Sequence, residues 1–178
     1  SLSYISNSRR FIYAGIYIFV ASAVVGFAAS PLLTFLDDFI RRIALKVAGL
    51  NTLELILFIF KNNLSSALMS IVLGAFLGIV PIMSAITNGV LVGYVLARAL
   101  VIAGVASWWR LLPHGIFELP AIFIAIGLGM KLGFSIFEQD MSEAFKERFV
   151  NGLKTFVFII LPLLLIAAII EGSLIKLL

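Results

Sequence analysis

Cysteine is absent from this 178-residue chain, and histidine occurs once, as His114. No disulfide, thiol chemistry or Cys-ligated metal site can therefore be built, and no Cys–His catalytic pair exists. Charge is scarce as well. Only 12% of the residues are Asp, Glu, Lys or Arg, against about 25% in an ordinary soluble domain. A chain this poor in charge cannot cover itself with polar surface in water. Lys and Arg form no long run, so a nucleic-acid partner is not expected. The sequence also lacks a nucleophile elbow, a phosphate-binding glycine loop and a dinucleotide fingerprint, so no enzymatic activity is expected. No cofactor and no metal are expected: His114 and Glu118, four apart, lack the further ligands that zinc needs. The chain starts Ser1-Leu2-Ser3, which reads as a trimmed beginning. The first apolar segment is as long as the later ones and has no clear cleavage site, so it is not read as a cleavable signal peptide.

What fills the chain is apolar residue, 62% of it, with a mean hydropathy of +1.18. The solvent that suits this composition is a bilayer. Runs near the 20 residues of a spanning helix lie at 11–30, 64–80, 82–106, 114–130 and 156–175. The expected fold is all-α: one integral membrane domain over 1–178, a polytopic transmembrane helical bundle of about five spans, multi-pass in the cell membrane. Re-entry of one shorter span is the alternative. Two connectors, 35–50 and 140–151, carry apolar residues at helical spacing with charges between them. They are expected as amphipathic helices, lying in the interface plane or packed on the protein's own flank. With the N-terminus inside, six basic residues fall inside and seven outside, so the loops carry no bias. Arg9 and Arg10 beside the first span favour an inside N-terminus.

Four spans carry small residues every fourth position. These are Ser22, Gly26 and Ser30; Asn62, Ser66, Ser70, Gly74 and Gly78; Ala85, Gly89, Gly93 and Ala97; and Ala121, Ala125, Gly129 and Gly133. Such residues share one helix face and let backbones approach closely, which replaces the missing hydrophobic drive between helices in lipid. The stripes fit either packing inside one bundle or a self-association surface, so a homodimer is one expectation.

Polar groups at membrane depth are expensive, and each is a candidate for function. The candidates are His114, Glu118, Arg98, Asn88, Asn62, Asn63 and Glu171. Pro113 suits a first helical turn, whereas Pro120 removes the donor for the carbonyl of Ile116. Two readings of His114 and Glu118 stay open. They cap and pair with Arg98 or Arg110, the reading we favour, or they handle an ion, proton or ligand. Arg98 needs an interface or a partner such as Glu118. Asn62 and Asn63 are expected at the start of the second span.

The Asn-Asn of 62–63, the Asn-Gly of 88–89, the run Pro113-His114-Gly115-x-x-Glu118-x-Pro120 and the late Ile170-Glu171-Gly172 together resemble the stage II sporulation protein M family. The likeness covers about 62–175. It implies a polytopic, all-helical membrane protein without known catalytic activity. In endospore formers it implies a role in engulfment, anchoring partners that degrade peptidoglycan. Relatives occur in organisms that do not form spores, where the likeness implies no particular role; the small-residue stripes and amphipathic connectors motivate the expectation of a membrane scaffold with other membrane or envelope proteins as partners. The rival expectation is a component of a transport or channel system.

Overall fold

The computed structural model describes residues 2–104 and 112–177, with the side chains at 112–114, 117, 176 and 177 outside the description. The described residues are almost all helical, joined by short turns, with no strand among them. In order they form α1 (Leu2–Asn7), α2 (Arg9–Ala28), α3 (Phe35–Ala48), α4 (Thr52–Val72), α5 (Ile79–Ala103), α6 (Leu112–Gly133), α7 (Met141–Thr155) and α8 (Leu161–Leu177). Five helices are long and apolar enough to cross a membrane: Arg9–Ala28, Thr52–Ala75, Ile79–Ala103, Glu118–Phe137 and the continuous run Met141–Ile175. Their outer faces are lipid-like. Tyr17, Val24, Phe158 and Ile169 are all exposed.

Three boundaries differ from the sequence expectation. The second span starts at Thr52 rather than near 64, because Asn51 caps it. Its side chain accepts from the Glu54 N–H at 3.0 Å, and the Glu54 carboxylate accepts from the Asn51 N–H at 2.8 Å. That reciprocal box satisfies two helix-end donors. The span also ends earlier, at a short 3-10 turn, Leu73–Ala75. Gly78 then takes φ 71°, a left-handed conformation that glycine adopts without steric cost, and α5 begins. Pro81 lies in the first turn of α5, where its missing N–H is not needed. The connector at 140–151 also differs: α7 is not separate from the last span. Asp140 caps α7 through the Glu143 N–H at 3.0 Å, and a π turn, Phe156–Ile160, leads directly into α8. Pro162 cannot donate to the carbonyl of Phe158, and a local widening of the helix accommodates that loss.

The helix α6 is the hub. Of its spanning window 61% is buried, against 17 to 33% for the other four. It joins two cores, one with α4 and α8 around Ala67, Ala125, Ile160 and Leu164, the other with α2 and α5 around Ala85, Ile122 and Ile126. The small-residue stripes make these contacts. A Cβ on Gly129 would overlap the carbonyl oxygen of Ser70 on α4, and one on Gly133 would overlap the Gly78 nitrogen. A Cβ on Gly74 would overlap Gly129, one on Gly89 would overlap Phe19, and one on Gly93 would overlap Ala23. All six packing glycines expected from the sequence thus face partners inside this chain. These glycines pack inside the bundle, while Asn62 of the second stripe stays exposed.

Helix α3 stands apart. None of its residues is buried, and Phe35, Phe39 and Ile43 are exposed. Its first turn is tied to α5. The Asp37 carboxylate accepts from the Tyr94 hydroxyl at 2.6 Å and from Arg98 Nε at 3.2 Å, and forms an ion pair with Arg98 Nη2. Arg98 Nε also donates to the Tyr94 oxygen at 3.0 Å. Near its other end, Val47 packs against a small core of Leu55, Ile59 and Ala168.

Two outcomes follow from this packing. Gly93→Leu should destabilise the bundle by about 1–3 kcal/mol or more, because backbone atoms of α2 occupy the space. Thermal unfolding of the purified chain checks it; an unchanged midpoint with an altered oligomer would return the stripe to self-association. Hydrogen bonds from Arg98 and then Tyr94 hold the Asp37 carboxyl below the usual carboxylate range. Its folded pKa is the lower one, so the tether is fully present above the ordinary value and fails as pH falls through the lowered one. Asp37→Asn should speed amide exchange in α3 at neutral pH, and acid should do the same to the unaltered chain.

Candidate functional site

Four of the seven polar candidates converge. A cavity of about 250 Å³ lies between α3, α4, α6 and α8, and its wall includes Asn62, Asn63, Glu118 and Glu171. Each arrives there for a local reason. Asn62 and Asn63 are not at a helix start but midway along α4, on the turn that faces α6 and α8. The Asn62 Nδ2 donates to Asn63 Oδ1 at 3.3 Å, and Asn63 is buried. Glu118 stands in the second turn of α6, two residues before Pro120. Pro120 leaves the carbonyl of Ile116 without its helical donor close to that carboxylate. Glu171 is carried by α8, and Gly172 beside it is what lets α8 meet α4. A Cβ there would lie 3.2 Å from the Cα of Ile56. One oxygen of Glu171, Oε2, is buried with no hydrogen-bond partner among the described residues.

Glu118 borders a second space. A more apolar cavity of about 260 Å³ between α5 and α6 is walled by Leu91, Val95, Gly115 and Glu118 among others. The carboxylate therefore stands on the partition between two voids.

The remaining candidates go elsewhere. Arg98 turns to Asp37 and Tyr94 on the α3 side, not to Glu118. A helical connector supplied the acid that the sequence sought on another span. Asn88 donates from Nδ2 to the Ser84 carbonyl at 2.8 Å and to Ser84 Oγ at 3.2 Å, one turn back on its own helix. It satisfies backbone and does not join the cavity. The side chain of His114 and all of Arg110 lie outside the described residues, so the pairing expected for them does so too.

Sequence reasoning missed a polar cluster at the opposite end of the bundle. Lys131 Nζ donates to Ser8 Oγ at 3.0 Å and sits 4.1 Å from the centre of the Tyr4 ring. Ser8 Oγ donates to the Tyr4 carbonyl at 2.7 Å. Arg148 Nη1 donates to the Lys131 carbonyl at 2.9 Å, closing the C-terminal end of α6, and its Nη2 pairs with Glu138. Burial pushes the Tyr4 hydroxyl up to about 12, so it stays protonated at any ordinary pH. The only sequence signal was a lysine and an arginine at the ends of apolar runs. Their hydrogen-bond partners are 10 to 123 residues away, with no local pattern to link them.

No three acidic or histidine side chains gather into a metal-binding group among the described residues. The cavity instead offers carboxylates, carboxamides and apolar walls, an arrangement that can hold a cation or a hydrogen-bond donor and that no catalytic base–nucleophile pair accompanies among the described residues. No curated protein and no solved structure matches the chain. The model of stage II sporulation protein M matches residues 15–174, a range that takes in every residue of the cavity's polar wall. With that match over nearly the whole chain, this membrane protein belongs to the stage II sporulation protein M family.

Proposed function

We propose that the chain is a non-catalytic scaffold or anchor of the cell membrane that positions partner proteins of the membrane or envelope. The observation that carries this reading is the contrast between bundle and periphery. The five spanning helices are locked at close contact through Gly74, Gly89, Gly93, Gly129, Gly133 and, for α8, Gly172. Against that rigid body α3 lies unburied, with Phe35, Phe39 and Ile43 exposed beside Arg41, Arg42 and Lys46. Apolar residues on one stripe and basic residues at its edges suit the headgroup layer of a membrane carrying anionic lipid. A rigid bundle with an interfacial arm holds a partner at fixed depth and orientation. No cofactor enters this reading.

A transport or channel component is the second reading, favoured by the convergence of Glu118, Glu171, Asn62 and Asn63 on one cavity. Ionisable groups inside a bundle commonly mark ion pathways.

One pair of measurements separates them. Photocrosslinkers placed at Phe39 on α3 and at Glu147 on α7 in native membranes should yield discrete protein adducts of fixed size. Sealed proteoliposomes of the purified chain should show no saturable cation flux. A saturable flux that Glu118→Gln abolishes, with only lipid adducts at Phe39 and Glu147, would give the function to transport.

A further inference from the structure

We infer that a furrow between α1, α2 and α6 is a binding site for one anionic phospholipid, with its phosphate held at Arg9 and an acyl chain laid along α2. The inference is independent of the scaffold reading, because α2 runs from this furrow to the opposite end of the bundle, where α3 follows. The furrow has a volume of about 360 Å³ and is walled by Ile5, Ser6, Arg9, Ile12, Tyr13 and Ile124. Its groups are sorted by depth. Ser6 and Arg9 stand at the junction of α1 and α2, and Tyr13 stands one turn further into the span. Residues 9, 13, 17, 20 and 24 share one face of a helix. On that face Tyr13, Tyr17, Val20 and Val24 are all exposed, so the apolar track continues past the furrow toward the middle of the bilayer.

The basic groups at this end of the bundle are not equivalent. Lys131 is taken by Ser8 and the Tyr4 ring, and Arg148 by the Lys131 carbonyl and Glu138. The side chains of Arg9 and Arg10 form no ion pair or hydrogen bond among the described residues, and of the two only Arg9 lines the furrow. A guanidinium is a planar fork of donors that fits two phosphate oxygens at once, and it is more weakly hydrated than an ammonium. The Ser6 and Tyr13 hydroxyls add donors beside it, and a phenol with an apolar ring suits headgroup level. Basic pockets at the ends of spanning helices bind lipid headgroups for this reason. A soluble phosphate would leave three isoleucines and the track beyond them uncovered, whereas an acyl chain covers both. The described wall carries one cation and no acid. A headgroup of net negative charge is balanced there, while the added ammonium of a choline headgroup meets no partner.

The test uses the full chain in nonionic detergent micelles, with bound lipid counted by native mass spectrometry during titration. The probes are dioleoyl phosphatidylglycerol, dioleoyl phosphatidylcholine and soluble glycerol phosphate. Phosphatidylglycerol should form one adduct that saturates, and the other two should bind several-fold more weakly. Arg9→Gln should weaken phosphatidylglycerol binding about fivefold, the usual contribution of one basic residue at an anionic headgroup. Arg10→Gln removes the same charge one residue away, outside the furrow, and should leave the affinity nearly unchanged. Tyr13→Phe deletes a single exposed hydroxyl, should also weaken binding, and serves if Arg9→Gln does not fold. Equal losses in Arg9→Gln and Arg10→Gln would reduce the effect to general surface charge and overturn the inference. Glycerol phosphate bound as tightly as the lipid would overturn the assignment to a lipid, and phosphatidylcholine bound as tightly would overturn the preference for an anionic one.

Discussion

Everything in this bundle depends on α6 being able to touch its neighbours backbone to backbone. Lipid gives apolar side chains no reason to leave it, so helix association rests on close packing. Small residues on α6 meet α4 at Ser70 and Gly74, α2 at Ile12 and the turn before α5 at Gly78. A methyl group at Gly129 or Gly133 would push two helices apart at once. The spanning helices alternate in direction, which makes α2 and α5 parallel and α4 and α6 parallel. Both parallel pairs are the ones closed by glycine against backbone carbonyls.

The same closeness sorts the polar groups. At one end, Lys131, Ser8, Tyr4 and Arg148 satisfy one another and the last carbonyls of α6. That end is a sealed hydrogen-bond network with a cation over an aromatic ring. At the other end Arg98 pairs with Asp37 of α3, and Glu118 and Glu171 border a cavity with two carboxamides. Both ends hold ionisable groups at the borders of apolar helices.

Much of this was open to reading in the sequence, for a physical reason. Length and apolarity of a spanning helix are local properties, so the five spans were found with their number right. A small residue every fourth position is also local, since it records one helix face. Boundaries set by caps were harder. Asn51 and Glu54 mark the true start of α4, but Leu53 to Phe60 could equally have been an apolar connector, and the asparagines at 62–63 looked like a beginning. The connector at 140–151 was set apart from the last span because of its charged, amphipathic pattern, whereas a π turn, Phe156–Ile160, carries the helix on.

Composition and periodicity, by themselves, determined that this chain is an all-helical membrane bundle of about five spans, and its motifs determined the family. They did so because burial in lipid constrains each helix separately, one window at a time. Only the tertiary structure decided which polar residues meet. Arg98 chose Asp37 over Glu118, Asn88 stayed on its own helix, and Asn62, Asn63, Glu118 and Glu171 came together from three helices. Partners separated by tens of residues leave no trace in spacing. Their pairing follows from how deeply each glycine stripe lets one helix settle against the next.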